Sequence, residues 1–327
     1  MTALLQPRPV PGLLSLVIPV FNEVESLPAL RTALEALALR LPCAVEFVLV
    51  DDGSADGSLA RMLAWAEGDA RVKLLALSRN FGHQVAVTAG LDAARGDAVA
   101  ILDADLQDPP EIILAMLDRY REGYDLAYGQ RIERQGETAF KRLSAWLYYR
   151  LQRRLIHADL PVDAGDFRLM SRRCLDALLA MRERHRLLRG MGAWIGFPQV
   201  AVPYVRAPRH AGTTSYTLRR MLRLAADGAF SFSGAPLRAF FWLGGSIALG
   251  GFAVGLYAFG QGLRHMLGLP VSEDYSPGWS TIVTLLCIIG GTLLVSVGLL
   301  GEYVGRIYEE VKGRPLYVVA LRRNLGA

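Results

Sequence analysis

The 327-residue sequence has little cysteine and no large excess of either charge. Its three cysteines, Cys43, Cys174 and Cys287, are scattered without metal-ligand spacing. This argues against a disulfide framework or a zinc knuckle and favours a reducing cytoplasmic setting. The 36 basic and 31 acidic residues leave a net charge of only +5. Such a small excess disfavours coating of a nucleic-acid backbone, so we expect no nucleic-acid partner.

Several common catalytic motifs are also missing. No Gly-x-Gly-x-x-Gly follows the first apolar run and no Gly-x-x-x-x-Gly-Lys-Ser/Thr occurs, which disfavours dinucleotide oxidoreductases and P-loop NTPases. None of the five histidines begins a His-Glu-x-x-His motif, and there is no Gly-x-Ser-x-Gly elbow. Zinc peptidases and serine hydrolases are therefore disfavoured as well. A transferase with a nucleotide leaving group remains compatible with the sequence.

Two long uncharged stretches lie near the C-terminus, at 239–263 and 279–301. Each exceeds the roughly 20 residues that a helix needs to cross a bilayer, so we predict two transmembrane helices within 237–304 rather than two buried helices of a soluble domain. Basic residues flank the pair on both sides, which places both termini in the cytoplasm by the positive-inside rule. Residues 1–12 are predicted to be a disordered segment without a signal sequence, and 305–327 a cytoplasmic basic tail.

Residues 13–236 alternate short apolar runs with amphipathic windows. The runs at 14–20, 45–50, 72–77 and 98–102 predict strands, and the windows at 27–39, 59–66 and 84–94 predict helices. This alternation indicates an α/β domain with a mostly parallel sheet. Ligands of such sheets bind beyond the carboxyl ends of the strands, which is where candidate functional residues are expected.

Acidic residues follow three of the four predicted strands, at Glu23, at Asp51 and Asp52, and at Asp103 and Asp105. A single such residue is commonly a helix N-cap, but carboxylates that converge on one sheet edge repel one another unless a cation compensates them. Asp103 and Asp105 point the same way in an extended segment. Carboxylate oxygens suit Mg²⁺ or Mn²⁺, which also bind diphosphates. The pattern therefore predicts a metal and nucleotide site.

Five ordered motifs carry a resemblance to a known family. They are residues 17–23 (Val-Ile-Pro-Val-Phe-Asn-Glu), 51–54 (Asp-Asp-Gly-Ser), 80–82 (Asn-Phe-Gly), 103–111 (Asp-Ala-Asp-Leu-Gln-Asp-Pro-Pro-Glu) and 165–168 (Gly-Asp-Phe-Arg). In this order they resemble glycosyltransferase family 2, and more narrowly the bacterial polyprenyl-phosphate (bactoprenol) glycosyltransferases related to dolichol-phosphate mannose synthase. The resemblance implies a Rossmann-like GT-A fold in a homotetramer of the bacterial inner (plasma) membrane. It also implies inverting sugar transfer from a nucleotide sugar to polyprenyl (undecaprenyl) phosphate at the cytoplasmic face, for cell-envelope glycan modification.

The same resemblance assigns roles to individual residues. Nucleotide-sugar binding is implied for Pro19, Phe21, Glu23, Asp52, Asn80, Asp103 and Arg131. Metal binding is implied for Asp103, Asp105 and Gln107, and phosphate or acceptor binding for Arg168, Arg206 and Arg209. Asp166, together with Asp105, occupies the catalytic positions. His83 departs from the pattern, because many relatives carry lysine there.

The role of Asp166 stays open at this point. A phosphate monoester has a second pKa of about 6 and is already largely anionic at neutral pH, so a strong general base is dispensable. Asp166 could orient the acceptor or the sugar, complete the metal shell, abstract a proton, or pair structurally with Arg168.

A lipid acceptor requires an active site close to the bilayer. Residues 139–156 and 216–226 combine apolar and basic side chains in helical spacing, which predicts helices at the membrane surface among lipid headgroups, or alternatively helices that pack on the sheet. The sugar stays open: glucose from UDP-glucose is the first candidate, and galactose, an N-acetylhexosamine, mannose from GDP-mannose and an aminoarabinose derivative are alternatives. A non-enzymatic membrane scaffold or transporter is disfavoured because the spans contain few polar residues.

Overall fold

The computed structural model of the chain describes residues 5–132, 164–205, 235–268, 270 and 279–325. The contacts divide the chain into two compact units. One combines Met1–Arg223 with Arg314–Ala327, and the other is Leu224–Gly313. The first unit contains the predicted sheet domain, and the second contains the long apolar helices.

Sixteen helices and strands occur in the described residues. In chain order they are β1 (Leu13–Val20), α1 (Leu27–Arg40), β2 (Ala44–Asp51), α2 (Ser58–Gly68), β3 (Val72–Leu77), α3 (His83–Ala93), β4 (Ala98–Ile101), α4 (Ile112–Arg121), β5 (Leu126–Arg131), β6 (Ala164–Ser171), α5 (Arg172–Ala180), α6 (Leu188–Ile195), β7 (Gln199–Tyr204), α7 (Ala235–Met266), α8 (Trp279–Val311) and β8 (Val319–Arg323). The four strands and three helices predicted from the sequence are confirmed to within two residues at each end.

The strands of the first unit form one sheet in the order β7-β5-β6-β4-β1-β2-β3-β8. The central strands β4, β1, β2 and β3 are parallel to their neighbours in this group, and β5 is parallel to β7. β6 runs antiparallel to β4 and β5, and β8 runs antiparallel to β3. The predicted mostly parallel α/β architecture is therefore confirmed, with antiparallel strands added to it.

The core lies between the sheet and its helices. Residues 14–20 of β1 are all buried, as expected for a central strand that helices cover on both faces. In α1 the buried residues are Leu27, Leu30, Leu34 and Leu37, one apolar stripe at helical spacing. On α3, Gly90 allows close approach to β1, because a Cβ there would collide with the side chain of Val17.

The N-terminal segment differs from the prediction of disorder. Residues 5–12 are described, and Arg8 binds the turn between α4 and β5 through its backbone N–H to Arg121 (3.0 Å) and its guanidinium to Gly123 O (2.7 Å) and Asp125 (3.2 Å). These bonds order the segment because Asp125 is fully buried and requires a cationic partner.

The C-terminal tail contains a strand that sequence analysis missed. β8 pairs with β3, and Asn324 donates from its amide to Ala66 O (2.6 Å) and Val72 O (2.9 Å). The predicted basic tail thus contributes the last strand of the sheet.

The second unit consists of α7 and α8, which contact each other. Among the described residues, one helical segment, Ile288–Val311, is long and apolar enough to cross a membrane, with a mean hydropathy of 1.6 and no burial within the protein. In α7 a shorter apolar segment covers Trp242–Tyr257. One candidate span near the C-terminus is therefore found where the sequence predicted two.

Four predicted features fall outside the described residues. They are the interfacial helices at 139–156 and 216–226 and the phosphate contacts of Arg206 and Arg209.

Candidate functional site

The carboxyl ends of four parallel strands form one edge of the sheet. Asp51 at the end of β2 is opposite Val20 of β1 and Ala76 of β3. At the end of β4, Ile101 is opposite Arg168 of β6. Asp103 is two residues after Ile101, and Asp166 is two residues before Arg168. Because β6 runs antiparallel to β4, both steps lead in the same direction from the pair. The topology therefore brings Asp103 and Asp166 to the same edge.

Hydrogen bonds join the loops that follow β1 and β2. The Asn22 N–H donates to Ser54 Oγ (3.0 Å), and the Ala55 N–H donates to Asn22 Oδ1 (2.9 Å). Asn22 adopts a left-handed backbone with φ +55°, a conformation that asparagine tolerates better than most residues. Glu23 receives a bond from Ser26 Oγ (2.6 Å) and gives its N–H to Ser58 Oγ (3.0 Å). The two loops thus form one rigid rim.

Three residues predicted to bind the nucleoside lie on or near this rim. Pro19 is buried within β1, Phe21 is 46% exposed at the rim, and Asn80 is exposed in the loop after β3. A contact between these residues and a nucleoside stays a prediction.

Asp52 connects this rim to the loop between β3 and α3. Its Oδ1 accepts from the Phe81 N–H (2.7 Å) and its Oδ2 from the Gly82 N–H (3.0 Å). Burial raises the pKa of Asp52 above its usual value, while the two amide donors lower it. The adjacent Gly53 has φ +74°, and a Cβ there would lie 2.6 Å from the Arg79 carbonyl carbon. Asp52 thus positions the loop that leads to His83.

His83 lies between two carboxylates. Its Nε2 is 3.5 Å from Asp166 Oδ2 and 3.7 Å from Asp103 Oδ1. Removal of the ring from water lowers its pKa, but the hydrogen bond with Asp166 and the charges of Asp103, Asp166 and Asp52 raise it to about 9. The imidazole is therefore protonated at neutral pH and supplies a positive charge beside the two carboxylates.

Asp166 accepts a hydrogen bond from one side chain and forms ion pairs with two arginines. Gln84 Nε2 donates to its Oδ2 (2.6 Å), while Arg189 Nε and Arg168 Nη2 lie 3.7 Å and 3.8 Å from its Oδ1. Burial alone raises the pKa of Asp166, but His83 and the two arginines hold it well below its usual range. Asp166 is therefore ionised at neutral pH and is a weak proton acceptor.

The pKa of Asp103 is shifted upward, opposite to that of Asp166. Burial raises its pKa to about 6, with the carboxylates of Asp166, Asp108 and Asp105 adding to this effect and His83 opposing it. Its Oδ1 is buried and has no hydrogen-bond partner. Such an oxygen is stabilised by a cation or donor that a ligand brings.

The loop after Asp103 turns at once. Leu106 has φ +54°, and the Gln107 N–H donates to Asp105 Oδ1 (3.2 Å). The described residues contain no group of three or more His, Cys, Asp or Glu side chains arranged to hold a metal ion. Two carboxylates nevertheless fit a divalent cation, because Mg²⁺ commonly takes one or two protein carboxylates and completes its shell with water and substrate phosphates. The unpartnered Asp103 Oδ1 is suited to be one of these ligands.

A second cluster at this edge contains two residues that sequence analysis missed. Arg131 Nε donates to Tyr204 Oη (3.1 Å), and Tyr204 in turn donates to Asp108 Oδ1. Asp108 also lies 3.5 Å from Arg131 Nη2, and it raises the pKa of Arg131 against the lowering effect of burial. Arg131 therefore stays charged and is held in a fixed orientation. The Asp-Pro-Pro sequence that follows Gln107 gave no signal for this interaction.

Arg168, predicted to bind the acceptor phosphate, is 2% exposed. Its guanidinium donates to three backbone carbonyls, those of Gly165 (3.0 Å), Asp166 (3.3 Å) and Leu188 (3.2 Å). These bonds fasten the start of β6 to α6. The predicted contact of Arg168 with a phosphate stays a prediction.

Comparison with known proteins decides the family. The model of "Glycosyl transferase family 2" matches residues 15–179, which include the strand-end carboxylates. The chain belongs to glycosyl transferase family 2. Among similar members, the glycosyltransferase YkcC of Bacillus subtilis is 42% identical over 93% of this chain and 92% of its own length. The glycosyltransferase sll0501 of Synechocystis is 40% identical over 94% of each chain. The bactoprenol glucosyl transferase of the SfII prophage in Shigella flexneri is 36% identical over 94% of this chain and 97% of its own.

A family 2 transferase must stabilise the charge that develops on the departing diphosphate. The site contains cationic side chains at His83 and Arg189 beside Asp166, and at Arg131 beside Asp108. A divalent cation held by Asp103 and Asp105 would supply further Lewis-acid stabilisation there.

Proposed function

We propose that this chain transfers a hexose, with inversion, from a nucleotide sugar to polyprenyl (undecaprenyl) phosphate at the cytoplasmic face of the bacterial plasma membrane. The observation that carries the proposal is the 36% identity to a bactoprenol glucosyl transferase over 94% of this chain and 97% of that protein. Such similarity extends beyond the sheet domain into the apolar C-terminal helices. Glucose from UDP-glucose is the first candidate, and UDP-N-acetylhexosamine, a UDP-aminoarabinose derivative and GDP-mannose are the alternatives.

The ionisation of the site suits a phosphate acceptor. A hydroxyl acceptor requires a general base whose pKa lies near the working pH, whereas Asp166 has a pKa far below this range. A phosphate monoester is already anionic at neutral pH and attacks without losing a proton. In this proposal Asp166 therefore orients His83 and the reacting groups instead of acting as a base.

Metal binding forms the next part of the proposal. Asp103, Asp105 and Gln107 would hold Mg²⁺ or Mn²⁺, and the bound ion would supply positive charge to the diphosphate of the donor. The unpartnered Asp103 Oδ1 supports this assignment.

We further propose that α7 and α8 form a two-helix membrane hairpin with both chain ends in the cytoplasm and that the protein assembles as a homotetramer. The contact between the two helices supports the hairpin, as does the exposure of apolar side chains such as Leu294 and Val297 on α8. Lipid tails are the medium in which such side chains are stable.

The test uses the full-length protein in detergent with undecaprenyl phosphate. Each candidate nucleotide sugar is supplied in turn with Mn²⁺, with Mg²⁺ or with a chelator, and glycolipid is detected by mass spectrometry. We expect one donor to be strongly preferred and the chelator to stop synthesis. Formation of no glycolipid from any donor contradicts the proposed reaction, and synthesis that persists with the chelator contradicts the metal assignment.

A matched pair of variants controls for folding. Asp103→Asn removes a proposed metal ligand and should lower turnover by about a hundredfold or more. Asp97→Asn changes the same group at the opposite end of β1, where Asp97 Oδ2 accepts from the Gly12 and Leu13 N–H groups at 2.8 Å and 3.2 Å. It should leave turnover near the wild-type value.

A further inference from the structure

Unsatisfied polar atoms are concentrated at one place in the described part of the chain. Five buried side-chain nitrogen or oxygen atoms there lack a hydrogen-bond partner, and three of them are Asp103 Oδ1, Asp166 Oδ1 and Arg189 Nε. Asp166 Oδ1 and Arg189 Nε are 3.7 Å apart, and His83 connects Asp166 to Asp103 through contacts of 3.5 Å and 3.7 Å. Buried polar atoms rarely stay unpaired in folded proteins, so this cluster indicates groups that a ligand completes.

Arg189 is the member of this cluster that sequence analysis did not identify. It is the second residue of α6, directly after Leu188, whose N–H donates to Gln84 Oε1 (3.1 Å). The same Gln84 amide donates to Asp166 Oδ2 (2.6 Å). Gln84 therefore joins the start of α6 to Asp166 and fixes the position from which the Arg189 side chain extends.

The two arginines beside Asp166 differ in what they can bind. Arg168 has a side chain only 3% exposed, and its guanidinium is engaged by backbone carbonyls. The Arg189 side chain is 35% exposed and its Nε makes no hydrogen bond. At 3.7 Å its contact with Asp166 is an ion pair without a hydrogen bond. Arg189 is thus charged, held close to the carboxylates and accessible to a ligand.

We propose that Arg189 binds a phosphate oxygen of the substrate, the role that the sequence pattern assigned to Arg168. The guanidinium presents several N–H groups in a planar fork that matches phosphate oxygens. The anionic oxygen belongs either to the diphosphate of the donor or to the phosphate of the lipid acceptor. This inference rests on the proposed function, since it names a residue that recognises the substrate of that reaction.

The decisive variant is Arg189→Gln, which keeps the length and polarity of the side chain but removes its charge. Two measurements distinguish the sources of the phosphate: the Kd of UDP by calorimetry, and the KM for undecaprenyl phosphate at saturating donor. Loss of one charge-assisted hydrogen bond should raise the relevant constant by about tenfold to a hundredfold. A rise in the Kd of UDP assigns the contact to the donor, and a rise in the acceptor KM assigns it to the lipid phosphate.

Two further variants separate binding from folding. Arg189→Lys keeps the charge without the fork and should recover part of the lost affinity. Arg182→Gln removes a half-exposed arginine that pairs with Asp92 at 2.8 Å outside the site and should leave both constants unchanged. If Arg189→Gln lowers only kcat or the thermal midpoint while both constants stay at wild-type values, the inference is overturned and Arg189 is structural.

The same measurements distinguish failure of the proposed function from failure of the inference about Arg189. Wild-type protein that transfers no sugar to undecaprenyl phosphate contradicts the proposed function, and the UDP measurement then still tests Arg189 against the donor. Wild-type protein that transfers sugar, with both constants unchanged in Arg189→Gln, contradicts this inference alone.

Discussion

Asp52 offers a direct test of how the site is held together. Its buried carboxylate accepts one hydrogen bond from the Phe81 N–H and one from the Gly82 N–H. Asp52→Asn keeps the shape of the side chain but leaves one oxygen for two donors, and its NH₂ group then faces a backbone N–H. We expect the loop between β3 and α3 to open more often, because one charge-assisted bond is lost and one buried amide is left without an acceptor.

The size of the effect follows from the lost bond. A hydrogen bond to a charged group contributes about 1.5–3 kcal/mol. A loss of 2–3 kcal/mol in local opening free energy speeds hydrogen exchange about 30-fold to 150-fold at the two amides. The change in global stability should be smaller, because burial raises the pKa of Asp52 and removal of its charge relieves that desolvation.

Hydrogen exchange measured by mass spectrometry on the full-length protein, in peptides that cover 78–85, provides the assay. Asp97→Asn is the matched control, since Asp97 accepts from two backbone N–H groups at the opposite end of β1. It should speed exchange at Gly12 and Leu13 and leave Phe81 unchanged. Wild-type exchange rates at Phe81 and Gly82 in Asp52→Asn would refute the reasoning.

Three other predictions follow from contacts within the sheet domain. Tyr204→Phe removes the hydroxyl that joins Arg131 to Asp108, so the KM for the nucleotide sugar should rise by about threefold to tenfold; an unchanged KM would show that Arg131 is positioned by other contacts or does not bind the donor. Gly53→Ala forces a Cβ against the next loop at a left-handed φ of +74° and should destabilise the protein by about 1–3 kcal/mol in thermal unfolding, and an unaltered midpoint would contradict the close approach. Burial tends to raise the pKa of Asp125, but two arginines and a serine hold it below its usual value. The ionised carboxylate therefore stabilises the fold above about pH 4, and this contribution is lost as the pH falls through the lowered pKa. Asp125→Asn should therefore lower the thermal midpoint at pH 7 and have less effect in acid, whereas an equal effect at both pH values would argue against this ion pair as the cause.

The central part of the fold could be predicted because its local patterns are strong. β1, β2 and β3 are largely apolar runs, interrupted only by Ser15, Glu46 and Lys73, and polar residues that mark the carboxyl edge of the sheet stand at or just after their ends. β6 gave no comparable signal. It contains the charged residues Asp166 and Arg168, so its local pattern does not indicate a buried strand, and the contacts of Asp166 with His83 and Gln84 come from a distant part of the sequence.

The candidate site likewise contains some residues that the sequence could indicate and others that it could not. Asp103 and Asp105 could be proposed from their spacing alone, because both lie within four residues after the end of β4. Tyr204 and Arg189 could not, since each reaches the site through pairing or packing between segments far apart in the sequence. For Arg168 the motif predicts phosphate binding, which stays a prediction, while its hydrogen bonds to three backbone carbonyls could be found only from the fold.

The pairing of β8 with β3 has a consequence for biosynthesis. Leu74 and Leu75 lie opposite Arg323 and Arg322. The ribosome therefore makes β3 long before its partner β8, which follows the apolar helix α8 in the chain. The exposed edge of β3 must stay unpaired in the nascent chain throughout that interval, and unpaired strand edges readily associate with other chains. Synthesis of β8 is thus the step that covers this edge of β3, and substitutions that prevent the pairing should favour aggregation during synthesis more than loss of the assembled protein.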